Sequence, residues 1–179
     1  MKKIMLMGAG IILFSTQGYA MKNSNKKFSI SSPVFKHYGA IPSDYTCDGK
    51  NLSPRLNWQN PPEGTKSFAL ICDDPDAPQG TFVHWVVYNI PATSTGTPEG
   101  VATTDTLADG SLQGTTSFGK KGFGGPCPPS GEHRYFFKLY AVDTMLALPA
   151  GATKEQLLDA MKGHIVAQAE LVGTYRRKK

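Results

Sequence analysis

Short segments of the chain alternate between hydrophobic and polar residues, and turn-forming residues separate them. Residues 68–72 are apolar at every position, which is typical of a strand that is covered on both faces. Residues 82–89 and 133–143 are rich in aromatic and branched side chains with a period of two. Residues 28–32 and 56–58 are shorter segments of the same kind. Spaced strands with turns between them predict a mainly β fold, a β-sandwich.

One short helix is predicted near the C-terminus. Thr153 can cap its first turn, and Gln156, three residues later, completes the pattern of a capping box. An apolar stripe follows, and Gly163 is a natural end for the helix. Residues 164–175 then alternate between apolar and polar positions. This alternation favours a strand there, with a continuation of the helix as the alternative.

The first twenty residues have the organisation of a secretory signal peptide. Lys2 and Lys3 form a basic start, and residues 4–14 form a short apolar segment. Small residues precede a cleavage point after Ala20, and the apolar segment is short for a membrane span. We therefore expect an exported protein, periplasmic or secreted, whose mature chain starts near Met21.

Composition predicts one domain, formed by residues 21–179, which is long enough to bury a sizeable core. The formal net charge of the whole chain is +5, and the excess of basic residues lies at its two ends. No aromatic residues are interleaved with these charges, so we expect solvated termini and no nucleic-acid partner. No segment after the signal peptide is long and apolar enough to predict a transmembrane span.

The first candidate site follows the apolar segment 68–72. The sequence Asp-Pro-Asp-Ala-Pro stops regular pairing and places Asp74 and Asp76 at a stiff strand end. The next strand carries His84. A period of two predicts that this histidine shares a face with Phe82, Val86 and Tyr88, and that Trp85 lies on the opposite face in the core.

The second candidate site is a loop rich in glycine and proline, residues 124–132, which leads into another aromatic strand. His133 and Tyr135 begin that strand on one face. Arg134 points the other way, which favours an ion pair with a nearby carboxylate over a role in binding a phosphate. The chain thus offers two histidines, each next to a rigid loop.

Together these motifs resemble the two signature regions of the phosphatidylethanolamine-binding protein family, also called Raf-kinase-inhibitor proteins. The residues that carry the resemblance are Asp74 to Pro78, His84 and Gly131 to Tyr135, and residues 48–54 look like the bacterial branch of the family. The resemblance extends over residues 28–176. It implies two antiparallel sheets in a Greek-key sandwich, a small helix at the C-terminal end, and an anion-binding pocket formed by Asp74, Asp76, His84, Gly125, His133 and Tyr135.

Such a pocket suits a small phosphate-containing ligand. Imidazoles, a phenol and backbone N–H groups can donate to a phosphate, and carboxylates suit the ammonium group of an ethanolamine ester. We therefore expect a binder of phosphate esters or phospholipid head groups that is not an enzyme, has no catalytic residue, and needs no cofactor or metal. It is expected to be a monomer or a dimer.

Three other hypotheses remain open. A metal site could use two histidines and a carboxylate, although the sequence has no tight ligand spacing. A phosphoester hydrolase could use His84 or His133 to activate water, but no serine lies in a nucleophile elbow. The resemblance also includes inhibitors, so a protease or a host signalling protein is a possible partner.

The chain has three cysteines. Cys47 and Cys127 lie in predicted loops, whereas Cys72 lies in the apolar strand. An exported protein meets an oxidising compartment. We therefore predict a Cys47–Cys127 disulfide and a free, buried Cys72.

Overall fold

The computed structural model of the chain describes residues 26–177, so the predicted signal peptide lies outside the described residues. Within this range the chain forms nine strands, one helix and a short 3-10 turn at Ser43–Tyr45. The helix, α1, spans Lys154–Ala160. The strands are β1 (Ser29–Ser31), β2 (Gly39–Ala40), β3 (Leu56–Gln59), β4 (Ser67–Asp74), β5 (Phe82–Pro91), β6 (Gly96–Thr97), β7 (Leu112–Gln113), β8 (Glu132–Val142) and β9 (Ile165–Arg176).

The strands form two sheets, which confirms the predicted mainly β fold with one small helix. The smaller sheet has the order β1-β3-β6, and the larger has the order β2-β9-β8-β4-β5-β7. All pairs are antiparallel except the two-residue strand β2, which runs parallel to β9. The long strands β4, β5, β8 and β9 therefore form the centre of the larger sheet.

The β4 strand is apolar on both faces because each face meets a different apolar cluster. Phe68 and Leu70 belong to the cluster that includes Trp58 of the smaller sheet. Ala69 and Ile71 belong to a second cluster, which includes apolar side chains of α1. Burial of such side chains contributes roughly 1.5–3 kcal/mol for each large residue, so this strand anchors both layers.

The C-terminal elements agree with the sequence pattern. The Thr153 hydroxyl accepts a hydrogen bond from the Gln156 N–H at 3.3 Å, and the Gln156 side chain accepts one from the Thr153 N–H at 2.9 Å. This reciprocal capping box begins α1, as predicted. The alternating segment after Gly163 is the strand β9, so the predicted strand is confirmed and the helical alternative is wrong.

A Cys47–Cys127 disulfide ties the loop before β8 to the segment after the 3-10 turn, as predicted, with 5.4 Å between the two Cα atoms. Cys72 is free and buried in β4, also as predicted. The Cys47 N–H donates to the Pro126 carbonyl at 3.1 Å. The two loops are therefore joined by a covalent bond and a backbone hydrogen bond at the same place.

Candidate functional site

A cavity of about 530 Å³ opens at one end of the larger sheet, where β4 ends and β5 and β8 begin. Three of the predicted site residues line it: Asp74, His84 and His133. Each comes from a different one of these strands. The remaining lining is formed by residues 77–82, 117–118 and 127–129. The fold thus brings both candidate histidines into one cavity.

His84 reaches this cavity from a β-bulge in β5. Cys72 of β4 pairs with Trp85, and Asp73 pairs with Val83, so no residue of β4 is opposite His84. A bulge inserts one residue into a strand and interrupts the alternation of its side chains. Trp85 keeps its place beside Cys72 in the core between the sheets. The predicted core position of Trp85 is confirmed.

The bulge makes one prediction from the sequence wrong, namely the shared face of Phe82, His84, Val86 and Tyr88. The Phe82 and His84 rings contact each other at the cavity, with centroids 5.2 Å apart. Val86 and Tyr88 belong instead to the apolar cluster on the helix side of the sheet. A strict period of two cannot describe a strand that contains an extra residue.

The bulged His84 is held by two hydrogen bonds to Gly124. Its backbone carbonyl accepts from the Gly124 N–H at 2.9 Å. Its Nδ1 atom lies 2.6 Å from the Gly124 carbonyl oxygen. Burial lowers the pKa of His84, and the Gly124 backbone and the nearby Asp74 carboxylate only partly oppose this effect. The imidazole is therefore held in one orientation and kept neutral near pH 7.

His133 is oriented by Asp74. The Nδ1 atom of His133 lies 2.7 Å from Oδ2 of Asp74, and both side chains are buried. The other Asp74 oxygen accepts the backbone N–H of Asp76 at 2.8 Å. Both carboxylate oxygens thus have protein partners, and Asp74 fixes the ring of His133 as well as lining the cavity.

Asp76 does not line the cavity. Its carboxylate binds the Arg134 guanidinium in a bidentate pair with distances of 2.7 and 2.8 Å, and also accepts the Arg134 N–H at 2.9 Å. The guanidinium lowers the pKa of Asp76 to about 2. The predicted ion pair of Arg134 is confirmed, and its partner is a residue that the sequence placed in the pocket. This pair connects the turn after β4 to the start of β8.

Gly125 supports the loop and does not line the cavity. Its N–H donates to Oδ1 of Asn51 at 2.7 Å, so it is not free for a ligand. A Cβ atom on Gly125 would lie 2.7 Å from the Tyr45 carbonyl oxygen and 2.8 Å from Cα of Thr46. Glycine is needed here because two backbone segments approach too closely for a side chain.

Tyr135 lies behind the cavity and is fully buried. Its ring is perpendicular to that of His84, with centroids 5.1 Å apart. Burial raises the pKa of Tyr135, so the phenol is neutral. Its hydroxyl has no hydrogen-bond partner among the described residues, although the Cys127 backbone is nearby. Tyr135 therefore contributes to the site by packing against the His84 ring.

The sequence did not indicate the aromatic rim of the cavity. Phe118 is exposed and stands perpendicular to both Phe82 and His84, with centroid distances of 4.8 and 5.4 Å. Phe118 lies in a segment rich in glycine, serine and threonine, where a single aromatic residue gives no periodic signal. Gly124 packs directly against this ring, since a Cβ there would lie 2.2 Å from it. The position of Phe118 therefore depends on the path of the loop that contains Gly124, which the local sequence pattern does not indicate.

Two further observations concern residues 26–177. No helix there has the length and apolar character needed to cross a bilayer. No three side chains of the types that bind metals come together in that part of the chain.

Comparison with known proteins identifies the family. The sequence model of the phosphatidylethanolamine-binding protein family matches residues 31–176. A UPF0098 protein of Methanothermobacter thermautotrophicus is 54% identical over 149 residues, which cover 83% of this chain and 99% of that protein. A UPF0098 protein of Aquifex aeolicus is 47% identical over 168 residues, which cover 92% and 94%. The chain belongs to the phosphatidylethanolamine-binding protein family, as its motifs predicted.

Solved structures agree with this assignment. A putative phosphatidylethanolamine-binding protein homologue from Chlamydia trachomatis is 40% identical, with a TM-score of 0.78 and coverage of 84% of this chain and 98% of that one. An E. coli protein, described as a new member of the mammalian family, is 35% identical, with a TM-score of 0.79 and coverage of 86% and 100%. The described fold is therefore that of the family.

Proposed function

We propose that the cavity between β4, β5 and β8 binds the phosphate of a small phosphate ester or a phospholipid head group without transforming it. The observation that carries this proposal is the arrangement of His84 and His133. Both imidazoles line one cavity, and in each the Nδ1 atom already has a partner in the protein. The two Nε2 atoms have no partner among the described residues and are left for a ligand.

The rest of the lining supports an ester with a short organic group. Phe82 and Phe118 form an aromatic side of the cavity beside His84, and prolines 128 and 129 close another side. An alkylammonium group, such as that of an ethanolamine ester, can lie against an aromatic face. The cavity volume of about 530 Å³ suits a head group of this size.

The pocket is proposed to act in an exported protein, periplasmic or secreted. Two features support this location: the predicted signal peptide of residues 1–20 and the Cys47–Cys127 disulfide. Disulfides persist mainly in oxidising compartments. Occupation of the pocket is proposed to regulate binding of a protein partner, such as a protease or a host signalling protein, through the exposed Phe118 at the rim.

A calorimetric titration with phosphoethanolamine tests the binding function. We expect saturable binding to the wild-type protein and at least about tenfold weaker binding to His133→Ala, since a hydrogen bond to a charged group contributes about 1.5–3 kcal/mol. His164→Ala is the matched control, because His164 is an exposed histidine whose Nδ1 also pairs with an aspartate. Equal affinity in wild type and His133→Ala would exclude this site.

A phosphoester hydrolase is the second candidate, because the Asp74–His133 pair has the arrangement that orients a general base. The same titration samples can be assayed for released inorganic phosphate over several hours. We expect none above the protein-free control. Release that His133→Ala abolishes would establish the hydrolase in place of the binder.

A further inference from the structure

The two imidazoles present different chemistry to the cavity. The Nδ1 atom of His84 faces the Gly124 carbonyl oxygen, which can only accept, so this nitrogen carries the hydrogen. In the neutral ring, Nε2 is then a lone pair that accepts a hydrogen bond. Burial of His84 favours this neutral ring, because it lowers the pKa of the imidazole. His84 therefore offers an acceptor to any ligand.

His133 offers a donor once a phosphate is bound. Its Nδ1 faces the Asp74 carboxylate, and its Nε2 has no protein partner among residues 26–177. A phosphate oxygen at Nε2 would leave the ring between two anionic groups. Only the imidazolium, with a hydrogen on each nitrogen, donates to both of them.

The surrounding charges do not favour a doubly charged ligand. No lysine or arginine is among the described residues that line the cavity, and Asp74 is the carboxylate at its base. The carboxylates of Asp73 and Asp74 act on His84, and those of Asp74 and Asp76 lie close to His133. The Asp76 charge is paired with Arg134, and the Asp73 charge is paired with Lys138 and Lys154 outside the cavity lining. The single positive charge of the His133 imidazolium balances the charge of a phosphate monoanion but not that of a dianion.

We propose that the cavity selects phosphomonoesters over phosphodiesters, and that it binds the monoester as a monoanion. The P–OH group donates to Nε2 of His84, and a P–O⁻ oxygen accepts from the Nε2–H of His133. This inference rests on the proposed function and specifies its ligand class. A phosphodiester has no P–OH group, so its oxygens would face the acceptor on His84 without a hydrogen between them.

The proton balance follows from the ordinary chemistry of the ester. A phosphomonoester loses its second proton near pH 6, so most of it is a dianion at pH 7.5. Binding as the monoanion next to a protonated His133 therefore takes up protons from the buffer. No bond to phosphorus is made or broken in this step.

Methyl phosphate and dimethyl phosphate are matched probes, because they differ by one methyl group and the diester is a fixed monoanion. Titration calorimetry of the full mature protein at pH 6, where about half of the monoester is already a monoanion, gives the affinities. Titration at pH 7.5 in two buffers of different ionisation enthalpy gives the proton uptake. We expect methyl phosphate to bind about tenfold or more tightly than dimethyl phosphate, as for loss of one buried hydrogen bond. Proton uptake at pH 7.5 should be larger for the monoester than for the diester, because the monoester also gains the proton of its P–OH group. Methyl sulfate, which carries no proton, should behave like the diester.

The variant His84→Phe removes the acceptor while keeping an aromatic ring. We expect its monoester affinity to fall to that of the diester, with the diester affinity changed by less than about twofold; circular dichroism checks its fold. Equal affinity of both esters for the wild type, with phosphoethanolamine still bound, overturns this selectivity and leaves the proposed binding function intact. Failure of all three phosphates to bind overturns both. A preference for the monoester that persists in His84→Phe overturns the role given to His84.

Discussion

The Nδ1 atom of His133 lies 2.7 Å from a carboxylate oxygen of Asp74, and the two side chains are only 8% and 5% exposed. A second pair of the same chemistry lies on the surface, where His164 and Asp143 are 2.8 Å apart and about half exposed. Exposed ion pairs contribute little because water and salt screen them. A comparison of variants in the two pairs therefore separates the effect of the cavity on ligand binding from the effect of a histidine–aspartate contact alone.

Replacement of Asp74 by asparagine should weaken phosphoethanolamine binding by about tenfold or more, since the neutral amide no longer stabilises a protonated His133. The equivalent surface change, Asp143→Asn, should alter the dissociation constant by less than about twofold. Isothermal titration calorimetry at pH 7 compares the two. Equal losses in both variants would contradict a special role for the buried pair.

Asp76→Asn should leave ligand affinity within about twofold of wild type, because its carboxylate pairs with Arg134 outside the cavity lining. The change should instead reduce stability near neutral pH, and this loss should shrink in acid. The pKa of Asp76 is lowered to about 2 from 3.8, so its contribution is present above pH 3.8 and is lost as the pH falls toward 2. Urea denaturation of both proteins at pH 6 and pH 3 measures this. A tenfold loss of affinity would place the carboxylate in the binding site after all.

His84 should make the protein less stable as the pH falls. The pKa of its imidazole is lowered in the folded state from an ordinary value of 6.5. The unfolded chain therefore takes up a proton first, and the free energy of unfolding decreases as the pH drops below 6.5, down to the folded pKa. Above 6.5 this contribution is constant. His84→Phe should lack this component, so the difference between wild type and variant in urea denaturation should change between pH 7.5 and 5. A constant difference would contradict the lowered pKa.

Loss of the Cys47–Cys127 disulfide should cost roughly 3–5 kcal/mol, because the bond closes a loop of 80 residues in the unfolded chain. Guanidinium denaturation of Cys47→Ala/Cys127→Ala against wild type measures the loss. A reductant should destabilise the wild type and leave the double variant unchanged. Cys72→Ala, which keeps the bond, should remain sensitive to the reductant.

Much of the fold could be predicted because its signals are local. The uniformly apolar segment Phe68–Cys72 predicts a strand with two covered faces, and β4 has an apolar cluster on each face. The capping box of Thr153 and Gln156 likewise depends on residues three apart. The pairing of Cys47 with Cys127 followed from the loop and strand positions of three cysteines.

The site was predicted less completely because its details depend on contacts between distant segments. The alternation of side chains correctly predicted that Arg134 points away from His133. It did not indicate that Asp76 would be the carboxylate that pairs with Arg134. Asn51 accepts the Gly125 N–H, and Phe118 packs against the His84 ring. Both contacts depend on the paths of loops, which hydrophobic periodicity cannot predict. The bulge at His84 could not be read from β5 alone, because it exists only relative to the register of β4.

The bulge at His84 leaves the register of β4 and β5 the same as if this residue were absent. The residues on either side of His84, Val83 and Trp85, already pair with the consecutive positions Asp73 and Cys72 of the neighbouring strand. Deletion of the single residue His84 would therefore join two parts of β5 that are already in register with β4, with their core contacts in place. A one-residue deletion would leave a continuous ladder between β4 and β5, but it would remove one of the two imidazoles from the cavity and both hydrogen-bond partners of the Gly124 backbone.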